Sequence, residues 1–321
     1  LYTLDAGADA YNIAIGYKTG TAVSTGVQNT IIGGLAGDAL TTGSENVALG
    51  YLALSAEDTG GRNIAIGLGS LQNLNYNGQA YNIAIGYEAG NDISTGTHNT
   101  LVGGLAGDAL TTGFGNVALG YAALTTETAY GRNVAIGKGT LQLLDAGADA
   151  YNTAVGYEAG TNMSTGTANT IIGGLAGDAL TTGGDNVAIG YGALSSEDAH
   201  GGNTAIGYLA LNALNAGVNA YNVAVGFNAG YSLSTGINNT IIGGLAGDAL
   251  TTGHGNVALG YRALTSEDGH GRNIAIGYYA LGSQNAGADA YNVAVGYNAG
   301  ITISTGPENT IIGGLAGDAL T

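Results

Sequence analysis

Asn46-Val47-Ala48-Leu49-Gly50-Tyr51 is followed seventeen residues later by Asn63-Ile64-Ala65-Ile66-Gly67, and these two lines decide the fold. Outward from them, the pattern Asn-x-Ala/Ile/Leu-Ile/Val/Leu-Gly begins at Asn12, Asn29, Asn46, Asn63, Asn82, Asn99, Asn116, Asn133 and Asn152. It continues at Asn169, Asn186, Asn203, Asn222, Asn239, Asn256, Asn273, Asn292 and Asn309, giving 18 units. Successive spacings are 17, 17, 17 and 19 residues, repeated without a slip, so the units form super-repeats of 70 residues beginning near 12, 82, 152, 222 and 292. A fixed period of this kind is the signature of a repeat architecture and has to be read before any local preference.

Helix is excluded by the glycine at the fifth position of every unit, since interior Gly costs about 1 kcal/mol relative to Ala. The alternation of branched and small side chains has period two, as a strand requires, and Ser24-Thr25-Gly26 and its equivalents punctuate the gaps as turns. A strand of four or five residues is unstable alone. Near-identical units stacked in register satisfy one another's backbone groups. The expectation is an all-β fold, a parallel β-solenoid (β-roll or β-helix) of about 18 rungs of 17–19 residues, one continuous domain over 1–321. At an inter-strand spacing of about 4.8 Å it would be a rod roughly 85 Å long. Leu4 to Tyr11 matches Leu144 to Tyr151, and the chain stops inside a unit at Thr321, so it reads as a fragment of a longer protein.

The four units of a super-repeat differ. The first type reads Asn12-Ile-Ala-Ile-Gly-Tyr17; the second reads Asn29-Thr-Ile-Ile-Gly-Gly-Leu-Ala-Gly-Asp38. The third, from Asn46, carries Glu57-Asp58 and Arg62, and the fourth, from Asn63, holds the two extra residues. Within the strand, the branched second and fourth positions are expected to point into the coil. The Ala and Gly of the third and fifth positions would then face outward, against another copy of the chain. The second-type rung, with Ile31 in place of Ala, would plug that contact. The leading Asn is expected to cap a turn and to stack as a hydrogen-bonded ladder.

Composition removes several functions. Six Lys and Arg against 23 Asp and Glu, net charge −17, offer no basic stripe for nucleic acid. There is no Cys, hence no disulfide or thiolate site, and no apolar run approaches the 18 or so residues of a membrane span. Gly33-Gly34-Leu35-Ala36-Gly37-Asp38 approaches a calcium-binding nonapeptide, but its copies at Asp108, Asp178, Asp248 and Asp318 lie 70 residues apart, where a shared ion needs tandem turns. Asp5/Asp9, Asp145/Asp149 and Asp289 beside Tyr offer too few oxygen ligands for a cation. Of the four His, only His200 and His270 are equivalent, and no single place gathers unlike catalytic groups. Glu57-Asp58, Glu127, Glu197-Asp198 and Glu267-Asp268 read as a solvated corner. Tyr is the main aromatic and follows the repeat, after the strand Gly and before the first-type Asn, as a stacked edge would. No catalytic, cofactor or metal residue is assigned, and an enzyme is not expected.

Asn46-Val47-Ala48-Leu49-Gly50, Asn63-Ile64-Ala65-Ile66-Gly67 and Asn116-Val117-Ala118-Leu119-Gly120 resemble the head repeat of trimeric autotransporter adhesins and, equally, the long repeats of phage tail fibres. The resemblance implies a homotrimeric fibre, on a virion tail or the cell exterior. The expected function is a structural rod segment of a phage or viral tail fibre that spaces or presents a host-attachment tip. A bacterial adhesin head is the alternative. An ice-binding solenoid is a third reading, on the shared position of Thr25, Thr42 and Thr59, although Tyr76 interrupts that column. The expected partners are sister chains and, through a tip outside this segment, cell-surface glycans or proteins.

Overall fold

The computed structural model describes residues 3–7 and 9–320; residues 1, 2, 8 and 321 of the 1–321 assignment lie outside them. The chain divides into two compact units, Leu1–Glu158 and Ala159–Thr321. The first carries β1 (Ile13–Ile15), β2 (Thr30–Ile32), β3 (Val47–Leu49), β4 (Ile64–Ile66), β5 (Ile83–Ile85), β6 (Thr100–Val102), β7 (Val117–Leu119), β8 (Val134–Ile136) and β9 (Thr153–Val155). The second carries β10 (Thr170–Ile172), β11 (Val187–Ile189), β12 (Thr204–Ile206), β13 (Val223–Val225), β14 (Thr240–Ile242), β15 (Val257–Leu259), β16 (Ile274–Ile276), β17 (Val293–Val295) and β18 (Thr310–Ile312).

Within each unit every strand pairs in parallel with the next along the chain, and like residues stand over like. Val47 faces Ile64, Ala48 faces Ala65 and Leu49 faces Ile66 in the first unit; Val257, Ala258 and Leu259 face Ile274, Ala275 and Ile276 in the second. Both units are therefore parallel β-solenoids, and no residue among those described is helical. The strands are only three residues long because the ladder continues past them through turns, as in Val47 N–H to Asn63 O (2.8 Å) and Leu52 N–H to Gly34 O (3.1 Å).

The two faces of the strand are the reverse of the sequence expectation. Ala48, Ala65, Ala84 and Ala118 at the third position are fully buried inside the coil, while the branched residues either side of them lie outward and are partly exposed. The reason is volume. Opposite the strand, the coil is already filled from its other sides: Ala53, Leu54 and Leu40 are fully buried too, so the strand has room for little more than a methyl group. Ile31 does not plug a contact between chains; it is fully buried within its own coil. Its extra bulk is matched by Gly37 six residues on, where a methyl group would lie 3.3 Å from the Ile31 side chain. The third-type rung makes the opposite exchange, with the small Ala48 in the strand and the large Leu54 at the position of Gly37. This trade between neighbouring columns distinguishes the second- and third-type rungs; the first-type rung is small at both positions, as in Ala84 and Gly90.

The fifth-position glycine also has a different cause from the one expected. Gly120 has φ +144°, and a Cβ there would sit 2.4 Å from the Gly137 carbonyl of the following rung. Close approach is demanded by the chain's own next turn. It needs no second copy.

Candidate functional site: the outer strand face and the third-type rung

The outward face of each unit is a column of branched aliphatics. At the fourth strand position the first unit runs Ile15, Ile32, Leu49, Ile66, Ile85 and onward to Val155, and the second runs from Ile172 to Ile312, with no charge or amide interposed. The second position alternates Ile, Val and Thr. An uninterrupted apolar stripe on a chain of net charge −17 is the kind of surface that partners cover.

Beside it runs the aromatic column of the sixth position. In the second unit, Tyr191, Tyr208 and Phe227 stack with centroids 5.7 and 5.3 Å apart, and Tyr261, Tyr278 and Tyr297 with centroids 5.5 and 5.2 Å apart. In the first unit Leu68 and Lys138 replace the middle ring, and Lys138 Nζ lies 5.4 Å from the Tyr157 ring centre. Each set ends where the second-type rung puts Gly, as at Gly34 and Gly244.

The leading Asn residues close the coil. Asn29, Asn46, Asn63, Asn82, Asn99, Asn116 and Asn133 each accept, through Oδ1, the backbone N–H of the next Asn in the first unit, beginning from Asn12 and ending at Asn152. The same column runs from Asn169 through Asn186, Asn203, Asn222, Asn239, Asn256, Asn273 and Asn292 to Asn309 in the second. In 17-residue rungs Nδ2 donates to the carbonyl fourteen residues on, as from Asn46 to Gly60 (3.0 Å), which latches the two ends of the rung. In the fourth-type rung the two extra residues remove that carbonyl, and Asn63 turns to Gly61 O instead.

The glutamates of the third-type rung do not lie in a solvated corner, whereas Asp198 and Asp268 beside them are exposed. Glu57, Glu127, Glu197 and Glu267 are completely buried, in the column that holds Val23, Leu40 and Leu74 on the other rungs. Glu57 Oε1 accepts the Gly60 N–H (2.7 Å) and Oε2 the Tyr76 N–H of the next rung (3.2 Å). Glu127 takes Tyr130 and Ala146, and Glu197 takes His200 and Ala216, in the same way. The extra residues of the 19-residue rung lift its turn out of the ladder. The carboxylate then meets N–H groups that have lost their carbonyls. Burial pushes all four carboxyls above the ordinary Glu value of 4.5, against the pull of those N–H donors.

The arginines pair elsewhere. Arg62 binds Glu45 (2.8 Å), Gln79 (2.6 Å) and the Tyr81 hydroxyl; Arg132 binds Asp149 and Tyr151; Arg272 binds Asp289 (2.9 Å) and Tyr291. Each guanidinium lies 5.3–5.4 Å from the Tyr81, Tyr151 or Tyr291 ring centre. Asp149 and Asp289 are thus engaged by arginine. Asp108, one of the nonapeptide-like residues, is half-buried beside Asp92 and Glu88 and is raised chiefly by burial. His98 stacks on Tyr81 at 5.4 Å.

Unlike residues do converge, contrary to expectation, at two equivalent places in the second unit. Glu197, Asp198 and His200, and Glu267, Asp268 and His270, each bring one ligand atom to within 4.8 Å of the others. The sequence carried the signal, since His200 and His270 are the only equivalent pair of histidines, three residues after a Glu that replaces a core Leu. Compared with known protein families and with curated proteins, the chain matches none.

Proposed function

We propose that this chain is a structural segment of a surface or virion fibre, a homotrimeric rod that spaces or presents an attachment tip. The observation that supports this reading is the outward column at the fourth strand position. It is branched and aliphatic on every rung and flanked by tyrosines, and no charge interrupts it. A solenoid that leaves such a column in water would adhere indiscriminately. Sister chains of identical rung spacing offer a surface that matches it at every level, and closed rotational symmetry stops the association at a definite number. Three is the number implied by the likeness of Asn116-Val117-Ala118-Leu119-Gly120 to fibre and adhesin repeats. A bacterial adhesin head would share this architecture and differ in what lies beyond the segment. Ice binding draws less support, because Thr112, Thr182 and Thr252 turn their hydroxyls to carbonyls of the adjacent rung.

Light scattering on the purified chain tests the reading. A mass of three times 31.4 kDa is expected, falling to the monomer in Leu119→Asp with the β-circular dichroism retained. A wild-type chain that is monodisperse at 31.4 kDa would end the proposal.

A further inference from the structure

We propose that Glu197, Asp198 and His200, and equally Glu267, Asp268 and His270, each bind a divalent transition-metal ion of the zinc class, so that the chain carries two such ions. The inference is independent of the fibre reading and rests on the geometry of one four-residue turn.

His200 Nδ1 lies 3.6 Å from Glu197 Oε1, and His270 Nδ1 lies 3.7 Å from Glu267 Oε1. Both separations exceed the range of a hydrogen bond. Both Nδ1 atoms are nevertheless shut away from solvent and have no hydrogen-bond partner. The imidazole nitrogen and the carboxylate oxygen thus face each other across a gap that no hydrogen bond closes and that a cation would fill. A metal held at about 2.0–2.2 Å by each atom spans that gap at an N–metal–O angle of roughly 120°. The aspartate supplies the third donor within the 4.8 Å cluster, and from the more exposed side of the turn it can close on the ion by rotation. One imidazole nitrogen and two carboxylate oxygens suit zinc, cobalt or nickel better than calcium or magnesium, which favour oxygen alone. Water entering from the side of the exposed aspartate would complete four-coordination.

The molecule contains its own controls. The turns Glu57-Asp58-Thr59-Gly60 and Glu127-Thr128-Ala129-Tyr130 have the same buried Glu with no imidazole. Their backbone shows that the fourth position of the turn accepts Gly, so His200→Gly with His270→Gly reproduces a rung the fold already uses.

Equilibrium dialysis of the full chain against micromolar zinc, with metal counted by mass spectrometry, is the test. Two zinc ions per chain are expected, with one lost in each single variant and both in the double variant. Cobalt in place of zinc should give a visible absorption spectrum that the double variant lacks. Circular dichroism and melting of the double variant, unchanged without metal, would show that folding is intact. Absence of zinc uptake by the wild-type chain would overturn the proposal. So would uptake that survives in a folded double variant, which would assign the ions to the acidic surface at large.

Discussion

Ala118 and Leu119 are neighbours in one strand, yet they belong to different environments: the alanine is fully enclosed by its own chain, and the leucine stands on the outer face. The comparison extends along the Ala-bearing rungs of each unit; in the second-type rungs Ile31, Leu101, Ile171, Ile241 and Ile311 are the enclosed residues. On those Ala-bearing rungs the side of the sheet with the smaller residue is the interior, because the coil is narrow and its other walls supply the bulk. The side with the larger residue is free to serve association. Size therefore reports the space available, and which side is inside follows from what the rest of the rung contributes.

The rung Asn116-Val117-Ala118-Leu119-Gly120 allows that contrast to be broken step by step. Ala118→Asp places a charge in the dry interior beside like positions on both neighbouring rungs, and should destabilise the first unit by roughly 4 kcal/mol or more, read as a collapse of its denaturation midpoint. Gly120→Ala combines a left-handed φ with a Cβ 2.4 Å from a carbonyl; a loss of about 3 kcal/mol is expected in the same measurement. Asn116→Ala removes the acceptor of the Asn133 N–H and the donor to Tyr130 O, leaving buried groups unpaired, for about 1–3 kcal/mol. Leu119→Asp, one residue from the first variant, should change chain stability by about 0.5 kcal/mol or less while abolishing association. Comparable losses from Ala118→Asp and Leu119→Asp would erase the distinction between the faces.

A smaller effect concerns pH. Glu57, Glu127, Glu197 and Glu267 are raised in the fold above 4.5, so folding favours their protonated forms. Their contribution is complete below about pH 4.5 and is lost as the pH climbs through the raised values. Melting temperature should accordingly rise as neutral solutions are acidified toward that value. Glu57→Gln should flatten the first unit's share of the dependence. A melting temperature that falls throughout this window, with the same slope in Glu57→Gln, would contradict the assignment.

Much of the architecture was legible in the sequence, because the 17, 17, 17, 19 spacing and the period-two alternation admit stacked parallel strands and little else. The direction of the side chains was not. Alternation fixes that Ala48 and Leu49 point to opposite sides but leaves open which side is inside, and both faces are free of charge. The buried glutamates were hidden for a related reason: Glu57-Asp58 reads as a polar turn until the rungs are aligned, when Glu57 falls in line with Leu40 and Leu74. Even then the need for a carboxylate depends on the extra residues of the following rung, which free the Tyr76 N–H. The convergence at His200 and His270 depends in turn on that buried carboxylate, so it became visible only in three dimensions.

The most direct test of the inside-out arrangement uses the absence of cysteine from the chain. Thiols introduced singly by Ala65→Cys and by Ile66→Cys occupy adjacent residues of β4 and should differ completely toward a soluble thiol reagent. The Ala65→Cys thiol is expected to stay unreactive until the chain unfolds. The Ile66→Cys thiol should be shielded in the proposed assembly and react promptly once Leu119→Asp has dispersed the chains. Prompt labelling of folded Ala65→Cys, with Ile66→Cys protected in the dispersed monomer, would contradict the account.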